Sequence, residues 1–171
     1  MKVVITGEIA DGSSVVVREE HPTELVASGF PYFGNVPIDA SDGPVPLPSD
    51  GSRHRDPAFF PPPGGWRFFL LRIDPESTLT GEAPTPAQWA EAESIFPGLF
   101  SNYGADGLER TDTVDFGYVI SGSATMWLGD GSSTRLEAGD AFVQNGTWHR
   151  WSNPGSEPSM LAIVITGQSR Q

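Results

Sequence analysis

The segment 109–153 alternates short runs typical of β-strands with tight, glycine-containing turns. Residues 115–120 and 124–128 are rich in aromatic and β-branched side chains, which favour strands. Gly-Asp-Gly-Ser follows at 129–132, and because glycine adopts a positive φ at little cost, this sequence predicts a hairpin turn. Two further short strands lie on either side of Gly146. Strands this short and evenly spaced predict a small antiparallel barrel or sandwich.

The first half of this segment resembles the first sequence motif of the cupin superfamily, in which an H-x-H pair precedes a glutamate and then a glycine. Asp115 stands at the position of the glutamate, with six residues between it and Gly122. Glu109 and Thr111 stand at the two histidine positions. The resemblance is therefore clear in spacing but departs from the family where its metal-binding members carry paired histidines.

The second half resembles the second cupin motif, which runs from a glycine through P-x-G to a histidine and an asparagine. Gly139, Gln144, Gly146, His149 and Asn153 fit this pattern, with Gln144 at the place of the proline. His149 is thus the one motif histidine that this chain retains.

The resemblance implies an all-β fold, a cupin-type antiparallel β-barrel or jelly roll formed by a single domain over residues 1–171. We expect the core barrel at about 66–166, an N-terminal hairpin at 1–20 and a proline-rich coil with little regular structure wrapping the barrel at 30–65. Residues 84–96 predict one short inserted helix, since a threonine able to cap it is followed by a proline in its first turn. Both the coil and the aromatic end of this insertion are candidates to cover the barrel mouth.

Composition excludes several classes of function. The chain contains no cysteine, so it has no disulfide framework, cysteine-ligated zinc or cysteine nucleophile. Its net charge of −12 repels phosphate backbones, so we expect no nucleic-acid partner. No apolar run is long enough to cross a membrane and the first residues do not resemble a signal peptide, so we expect a cytoplasmic protein. The exposed edge of the hairpin predicts a homodimer.

Strand alternation places the candidate catalytic residues on the inner face of the barrel. If Asp115 points inward, Phe116 packs into another layer. If His149 points inward, Trp151 does so too. A cupin fold is expected to set these two strands side by side, so that His149 and Asp115 act as acid and base on a carbonyl substrate. Metal-free epimerase and cyclase cupins are a precedent that the resemblance supplies.

Two alternatives remain open at this point. In the first, Glu109, Asp115 and His149 bind a divalent metal, with iron, manganese, nickel or zinc suited to these donors, and the protein is a metal-dependent oxygenase. Because Thr111 is a poor ligand, we expect the metal to be weakly held or absent. In the second, the barrel binds a small ligand without catalysis and His149 has a structural role.

The aromatic content of the motifs favours an apolar or aromatic carbonyl compound over a sugar phosphate as substrate, and we expect a role in secondary metabolism. The predicted reaction class is a dehydration, isomerisation, cyclisation or lyase reaction. Besides the catalytic pair, we predict five residues that bind the substrate: Arg67, Thr111, Trp127, Gln144 and Trp151.

Overall fold

The computed structural model describes residues 1–30, 33–43, 51–79, 81–104 and 106–169. The predicted coil therefore lies partly outside the described residues, at 31–32 and 44–50. Within the described ranges the chain forms ten strands and one α-helix. They are β1 (Val3–Glu8), β2 (Ser14–Glu20), β3 (Phe33–Ser41), β4 (Trp66–Ile73), α1 (Pro86–Ile95), β5 (Thr113–Ser121), β6 (Ser123–Leu128), β7 (Ser133–Glu137), β8 (Ala141–Gln144), β9 (His149–Ser152) and β10 (Ser159–Gly167).

The strands form three antiparallel sheets, which confirms the predicted all-β jelly-roll fold. The largest sheet has the order β3-β4-β10-β5-β8, and a second sheet has the order β7-β6-β9. The apolar core lies between these two sheets, with Val119 and Leu161 fully buried at its centre. The predicted N-terminal hairpin is present as a separate sheet of β1 and β2.

Strand register places one row of side chains across the inner face of the five-stranded sheet. Ile165 on β10 lies opposite Arg67 on β4 and opposite Asp115 on β5, and Asp115 lies opposite Gln144 on β8. Directly opposed residues of an antiparallel pair share a face. The row therefore carries two charged side chains into the interior, separated by one isoleucine.

Two expectations about β5 require correction. β5 and β9 belong to different sheets, so Asp115 and His149 are not on side-by-side strands but approach the interior from opposite walls. Phe116 does not pack into another layer, since half of its side chain is exposed, as are those of Tyr118 and Ile120. The outer face of β5 is thus an apolar surface.

β3 lies within the segment that we expected to lack regular structure. It accommodates Pro37 because it is the outermost strand of its sheet and because its register with β4 shifts between Pro37 and Asp39. Proline removes a ladder donor and is tolerated at such irregular edge positions. Proline content alone therefore underestimated the strand content here.

The inserted helix α1 begins where the sequence predicts. The Thr85 hydroxyl accepts a hydrogen bond from the backbone N–H of Gln88, and the side-chain oxygen of Gln88 accepts one from the backbone N–H of Thr85, which forms a capping box. A second, smaller apolar core joins this helix to the segment before β3, with Phe30 and Phe96 at its centre. No helix among the described residues is long and apolar enough to cross a bilayer.

Candidate active site

A cavity that is partly open to solvent lies between the two sheets and under the second apolar core. Nine aromatic side chains and four aliphatic ones line it, and the ionisable groups lie among them. The lining residues are Phe30, Phe33, Gly34, Asn35, Phe59, Phe60, Phe69, Leu71, Phe96, Leu99, Phe100, Tyr103, Glu109, Asp115, His149, Arg150, Trp151, Ile163 and Ile165.

Glu109 and His149 are joined by a two-way backbone bridge. The N–H of Glu109 donates to the carbonyl of His149 at 2.7 Å, and the N–H of His149 donates back at 3.0 Å. This pairing sets the two side chains beside each other, with Glu109 Oε1 3.6 Å from His149 Nε2. Glu109 Oε2 is buried and has no hydrogen-bond partner among the described residues. One oxygen of this carboxyl group is therefore free to bind a ligand.

The Glu109–His149 contact is not an ion pair at neutral pH. Burial, with the nearby charge of Asp115 as a smaller cause, raises the pKa of Glu109 to about 8. Burial also lowers the pKa of His149, against hydrogen bonds from the imidazole to the backbone of Thr147 and Glu109. At pH 7 a protonated carboxyl group thus faces a neutral imidazole, and the carboxyl group is the better proton donor of the two.

Gln144 and Thr147 contact the His149 ring at its Nδ1 atom. His149 Nδ1 lies 3.0 Å from Gln144 Nε2 and 3.0 Å from the carbonyl oxygen of Thr147. If Nδ1 is unprotonated it accepts from the glutamine amide, and if it is protonated it donates to the carbonyl. Both tautomers have a partner, so the imidazole can take up or release a proton at Nε2 without rotating.

Asp115 is held by a chain of two buried threonine hydroxyls. Thr113 Oγ1 donates to Asp115 Oδ1 at 2.6 Å, and Thr111 Oγ1 lies 2.8 Å from Thr113 Oγ1. Burial raises the pKa of Asp115 to about 6, and the hydrogen bond from Thr113 opposes this rise. Asp115 is therefore largely ionised at pH 7, in contrast to Glu109.

The structure corrects the predicted pairing of Asp115 with His149. Both residues line the same cavity. In the part of the chain that the structure describes, however, no hydrogen bond or ion pair joins them, and the carboxyl group beside His149 belongs to Glu109. The reason is the topology: Glu109 bridges β9 directly, whereas Asp115 lies on the opposite sheet.

Of the five predicted substrate-binding residues, only Trp151 lines the cavity. Gln144 contacts the His149 ring. Thr111 contacts the Thr113 hydroxyl, which in turn donates a hydrogen bond to Asp115. Trp127 faces away: its Nε1 donates to Ser152, and the guanidinium of Arg150 lies 4.8 Å from its ring centroid. These three residues can position the site but do not border the space that a ligand would occupy.

Arg67 points inward as the prediction allowed, but it does not border this cavity. Its guanidinium binds both carboxylate oxygens of Asp42, at 2.5 and 3.0 Å, and donates to the carbonyl oxygens of Trp66 and Ala58. The two side chains of the pair are only 5% and 3% exposed. Arg67 is therefore a partner in a structural ion pair, away from the cavity in which we predicted it to bind the substrate.

The three predicted metal ligands, Glu109, Asp115 and His149, all line the cavity. Among the described residues, however, no group of three or more acidic, histidine or cysteine side chains is close enough together to hold a metal ion. Thr111, at the position of a family histidine, directs its hydroxyl to Thr113 instead of into the cavity. The described donor set does not fit a metal in this arrangement.

Most of the cavity wall comes from residues that strand patterns could not identify. Phe59 and Phe60 come from the proline-rich coil, and Phe96 and Phe100 come from the insertion. Their aromatic character was the available signal in the sequence. Asn35 gave no such signal, because β3 was not predicted.

Comparisons with known proteins agree with this topology. A family model described as a cupin domain matches residues 104–166. Oryzines biosynthesis cluster protein J of Aspergillus oryzae is 41% identical over 56 residues, which cover 33% of this chain and 31% of that protein. Phomopsin biosynthesis cluster protein C' of Diaporthe leptostromiformis is 40% identical over 63 residues, covering 37% of this chain and 33% of that protein. The match thus spans about a third of the length of these curated relatives.

One solved structure supports the fold over nearly the whole chain. The Schizosaccharomyces pombe Cnp3 cupin domain aligns with 98% of this chain and 88% of its own, with a TM-score of 0.51 and 8% identity. At this identity the likeness concerns the fold alone. Residues 104–166 thus match a cupin domain, and the three-sheet topology of the described residues is that of the cupin fold.

Proposed function

We propose that this protein is an enzyme that transfers protons to and from an apolar or aromatic carbonyl compound, in a dehydration, isomerisation, cyclisation or lyase reaction. One observation carries the proposal: an aromatic cavity contains two carboxyl groups whose environments separate their pKa values to about 8 and about 6. A pair of acids separated in this way can supply one proton donor and one base at neutral pH.

In the proposed reaction Asp115 is the base and Glu109 is the acid. The Asp115 carboxylate takes a proton from the carbon next to the substrate carbonyl, and the Glu109 carboxyl group gives its proton to the carbonyl oxygen. The products of this step are an enol, a protonated Asp115 and an ionised Glu109. Because the two residues lie on opposite walls, they reach the substrate from two sides, as a concerted transfer needs.

His149 returns the proton to Glu109 after this step. Its Nε2 is 3.6 Å from Glu109 Oε1, and its Nδ1 has a partner in either protonation state. An ionised Glu109 favours the imidazolium form beside it, so a proton can enter through the ring. This role differs from the direct acid role that the sequence suggested for His149, because burial lowers the pKa of the imidazole.

The expected substrate class rests on the cavity wall and on the relatives. Nine aromatic rings favour an aromatic or otherwise apolar body over a sugar. The two curated relatives are named for the biosynthesis of oryzines and phomopsin. We therefore place the reaction in the formation of a specialised small molecule.

Hydrogen–deuterium exchange tests the proposal without knowledge of the product. A panel of aryl ketones is incubated with the protein in D2O, and exchange at the carbon next to the carbonyl is followed by NMR. We expect exchange well above the background rate for at least one ketone, lost in the Asp115→Asn variant. Glu137→Gln is the matched control, because Glu137 is exposed and paired with Arg135 far from the cavity.

Two outcomes would contradict the enzyme proposal. If ketones bind but no carbon-bound proton exchanges, the cavity is a binding site without this chemistry. If exchange persists in Asp115→Asn, the base lies elsewhere. Measurement of metal in the active preparation accompanies the assay, since activity that needs added metal would contradict the residue roles assigned above.

We also infer a homodimer that covers the outer edge of the N-terminal hairpin. Val4 and Val16, on neighbouring strands of this hairpin, are 45% and 54% exposed. Light scattering at micromolar concentration tests the inference, and Val16→Asp is expected to give a monomer. A dimer that survives Val16→Asp but is lost in Tyr118→Asp would instead assign the contact to the exposed outer face of β5.

A further inference from the structure

The walls of the cavity leave its negative charge uncompensated. Glu109 and Asp115 are the acidic side chains among the lining residues, and Arg150 is the cationic one. The Arg150 guanidinium, however, lies over Trp127, a ring that does not line the cavity. The described cavity residues therefore present acidic oxygen atoms to a ligand without a basic side chain turned toward them.

The free oxygen of Glu109 points to a missing partner. Its Oε2 is buried and accepts or donates no hydrogen bond within the described structure. A buried polar atom without a partner is costly, so such atoms in folded proteins usually have a ligand, water or functional role. A ligand with hydrogen-bond donors would satisfy this oxygen, whereas a ligand with only acceptors could use it only while Glu109 is protonated.

Ligand binding makes an unpaired carboxylate in the cavity less favourable. A bound molecule expels water, and the loss of water disfavours an ionised carboxylate. A neutral ligand would therefore push Asp115 toward its protonated form, in which it cannot act as a base. A positively charged ligand would keep Asp115 ionised. A larger fraction of the proposed base is therefore ionised in the closed complex when the ligand brings a compensating charge.

The aromatic side chains of the cavity also favour a positively charged ligand. Cations are attracted to the faces of aromatic rings, and the attraction increases when the cation is desolvated. The cavity presents nine such rings, including Trp151, Tyr103 and Phe59. An anionic ligand would meet the same ring faces and the two carboxyl groups without a basic group to offset them.

We propose that the cavity selects a substrate that carries a positively charged nitrogen, such as a protonated amine, on an apolar or aromatic body. The nitrogen binds between the ring faces and the carboxyl groups of Asp115 and Glu109. This inference deepens the proposed function and rests on the same site, but it concerns recognition and not the reaction.

Equilibrium binding of three probes of similar shape tests the proposal. The probes are phenethylammonium, phenethyl alcohol and phenylacetate, which are a cation, a neutral molecule and an anion at pH 7. Binding is measured by calorimetry and by ligand-observed NMR in buffer with physiological salt. We expect phenethylammonium to bind at least about tenfold more tightly than phenethyl alcohol, and phenylacetate not to bind.

Variants separate recognition in the cavity from general attraction by the net charge of −12. Asp115→Asn together with Glu109→Gln should abolish the preference for the cation while phenethyl alcohol still binds, which also shows that the cavity is intact. Glu137→Gln removes one acidic group at the surface and should retain the preference.

The proposal is overturned if phenylacetate binds as tightly as phenethylammonium, if the double variant keeps the preference, or if the protein binds none of the probes at millimolar concentration. These outcomes are independent of the proposed reaction. Ketone exchange without a preference for the cation would leave the proton-transfer function standing and remove only this inference.

Discussion

Two buried charged sites lie in one inward row of the five-stranded sheet, at Arg67 and at Asp115, with Ile165 between them. At the first, Arg67 is paired with Asp42. Burial alone would raise the pKa of Asp42, but the hydrogen bonds from Arg67 and from the backbone of Asp56 bring it below its ordinary value. At the second, Asp115 has a threonine hydroxyl as its partner, and its pKa is raised. The two sites are equally part of the sheet, yet only the second holds a group that can exchange a proton near neutral pH.

Burial by itself therefore does not identify a reactive group. A buried carboxylate with a cation on both oxygens is a structural contact, because its charged form is fixed over the working pH range. A buried carboxyl group with a hydroxyl partner or no partner titrates close to neutral pH and can take part in catalysis. Four predictions test this distinction, from the largest expected effect to the smallest.

Breaking the structural pair should affect stability most. Asp42→Asn leaves the Arg67 guanidinium buried without its carboxylate, and we expect a loss of about 3–5 kcal/mol in the free energy of unfolding, the usual result of removing one partner of a buried pair. Urea denaturation measures this. The exchange activity per folded molecule should stay unchanged, and a selective loss of that activity would place Arg67 in the functional site after all.

Asp115→Asn should lower the exchange activity and leave the stability nearly unchanged. The substitution is nearly isosteric, so we expect the protein to fold and the ketone exchange to fall by about a hundredfold or more, as general bases usually contribute. His149→Ala should also reduce the rate strongly. Since residues that act as a unit are not additive, the double variant should lose little more than the worse single variant. Losses that simply multiply would mean that the two residues do not share one proton path.

Glu109 should make stability depend on pH in the opposite sense to an ion-paired acid. Its pKa is raised in the folded state from 4.5 to about 8, so the folded protein retains a proton that the unfolded chain has lost. Stability therefore falls as pH rises through this range. Between pH 6.5 and pH 8 the fall should be about 2 kcal/mol, at about 1.4 kcal/mol per pH unit for one proton.

Glu109→Gln should remove this fall, which urea denaturation at several pH values measures. Above pH 6.5 the other groups of the cavity change the stability less than Glu109 does. Asp115, with a pKa of about 6, is then mostly ionised in both states. His149, whose pKa is lowered from 6.5 in the folded state, releases its remaining proton mainly from the unfolded chain and so opposes the fall in the lower part of this window. Glu137→Gln should retain the fall. A stability that stays constant from pH 6.5 to pH 8 in the unaltered protein would contradict the raised pKa.

Removal of the Thr113 hydroxyl beside Asp115 should have the smallest effect on the exchange rate. Thr113→Val removes the hydrogen bond that lowers the pKa of Asp115, so that pKa should rise above about 6. Carbon-13 NMR of the carboxyl group measures the change. The exchange rate at pH 7 should drop by less than about tenfold, which corresponds to one ordinary hydrogen bond. Thr125→Val, on β6, serves as the control for loss of a buried threonine hydroxyl elsewhere.

Much of the fold could be predicted from the sequence. The runs and turns of segment 109–153, the capped helix after Thr85 and the N-terminal hairpin are local patterns, and local patterns determine local structure. β3 was missed because Pro37 argues against a strand unless the strand is at an edge and shifts its register, and both of these are properties of the assembled sheet.

The site was predicted less completely. Asp115, His149 and Trp151, which strand alternation predicts to point inward, all line the cavity. Alternation could not show that β5 and β9 belong to different sheets, so it paired His149 with the wrong carboxylate. It also could not show that Arg67 meets Asp42, which lies 25 residues away along the chain.

The alternation of side chains between the two faces of a strand could be read from the sequence, because it depends only on position along the chain. Which inward residues meet one another depends on the tertiary structure. Contacts between sheets and between a loop and a strand set whether a buried charge finds an opposite charge, a hydroxyl or no partner. That choice lowers the pKa of Asp42 and raises those of Asp115 and Glu109, and it is not contained in the local sequence around any of the three.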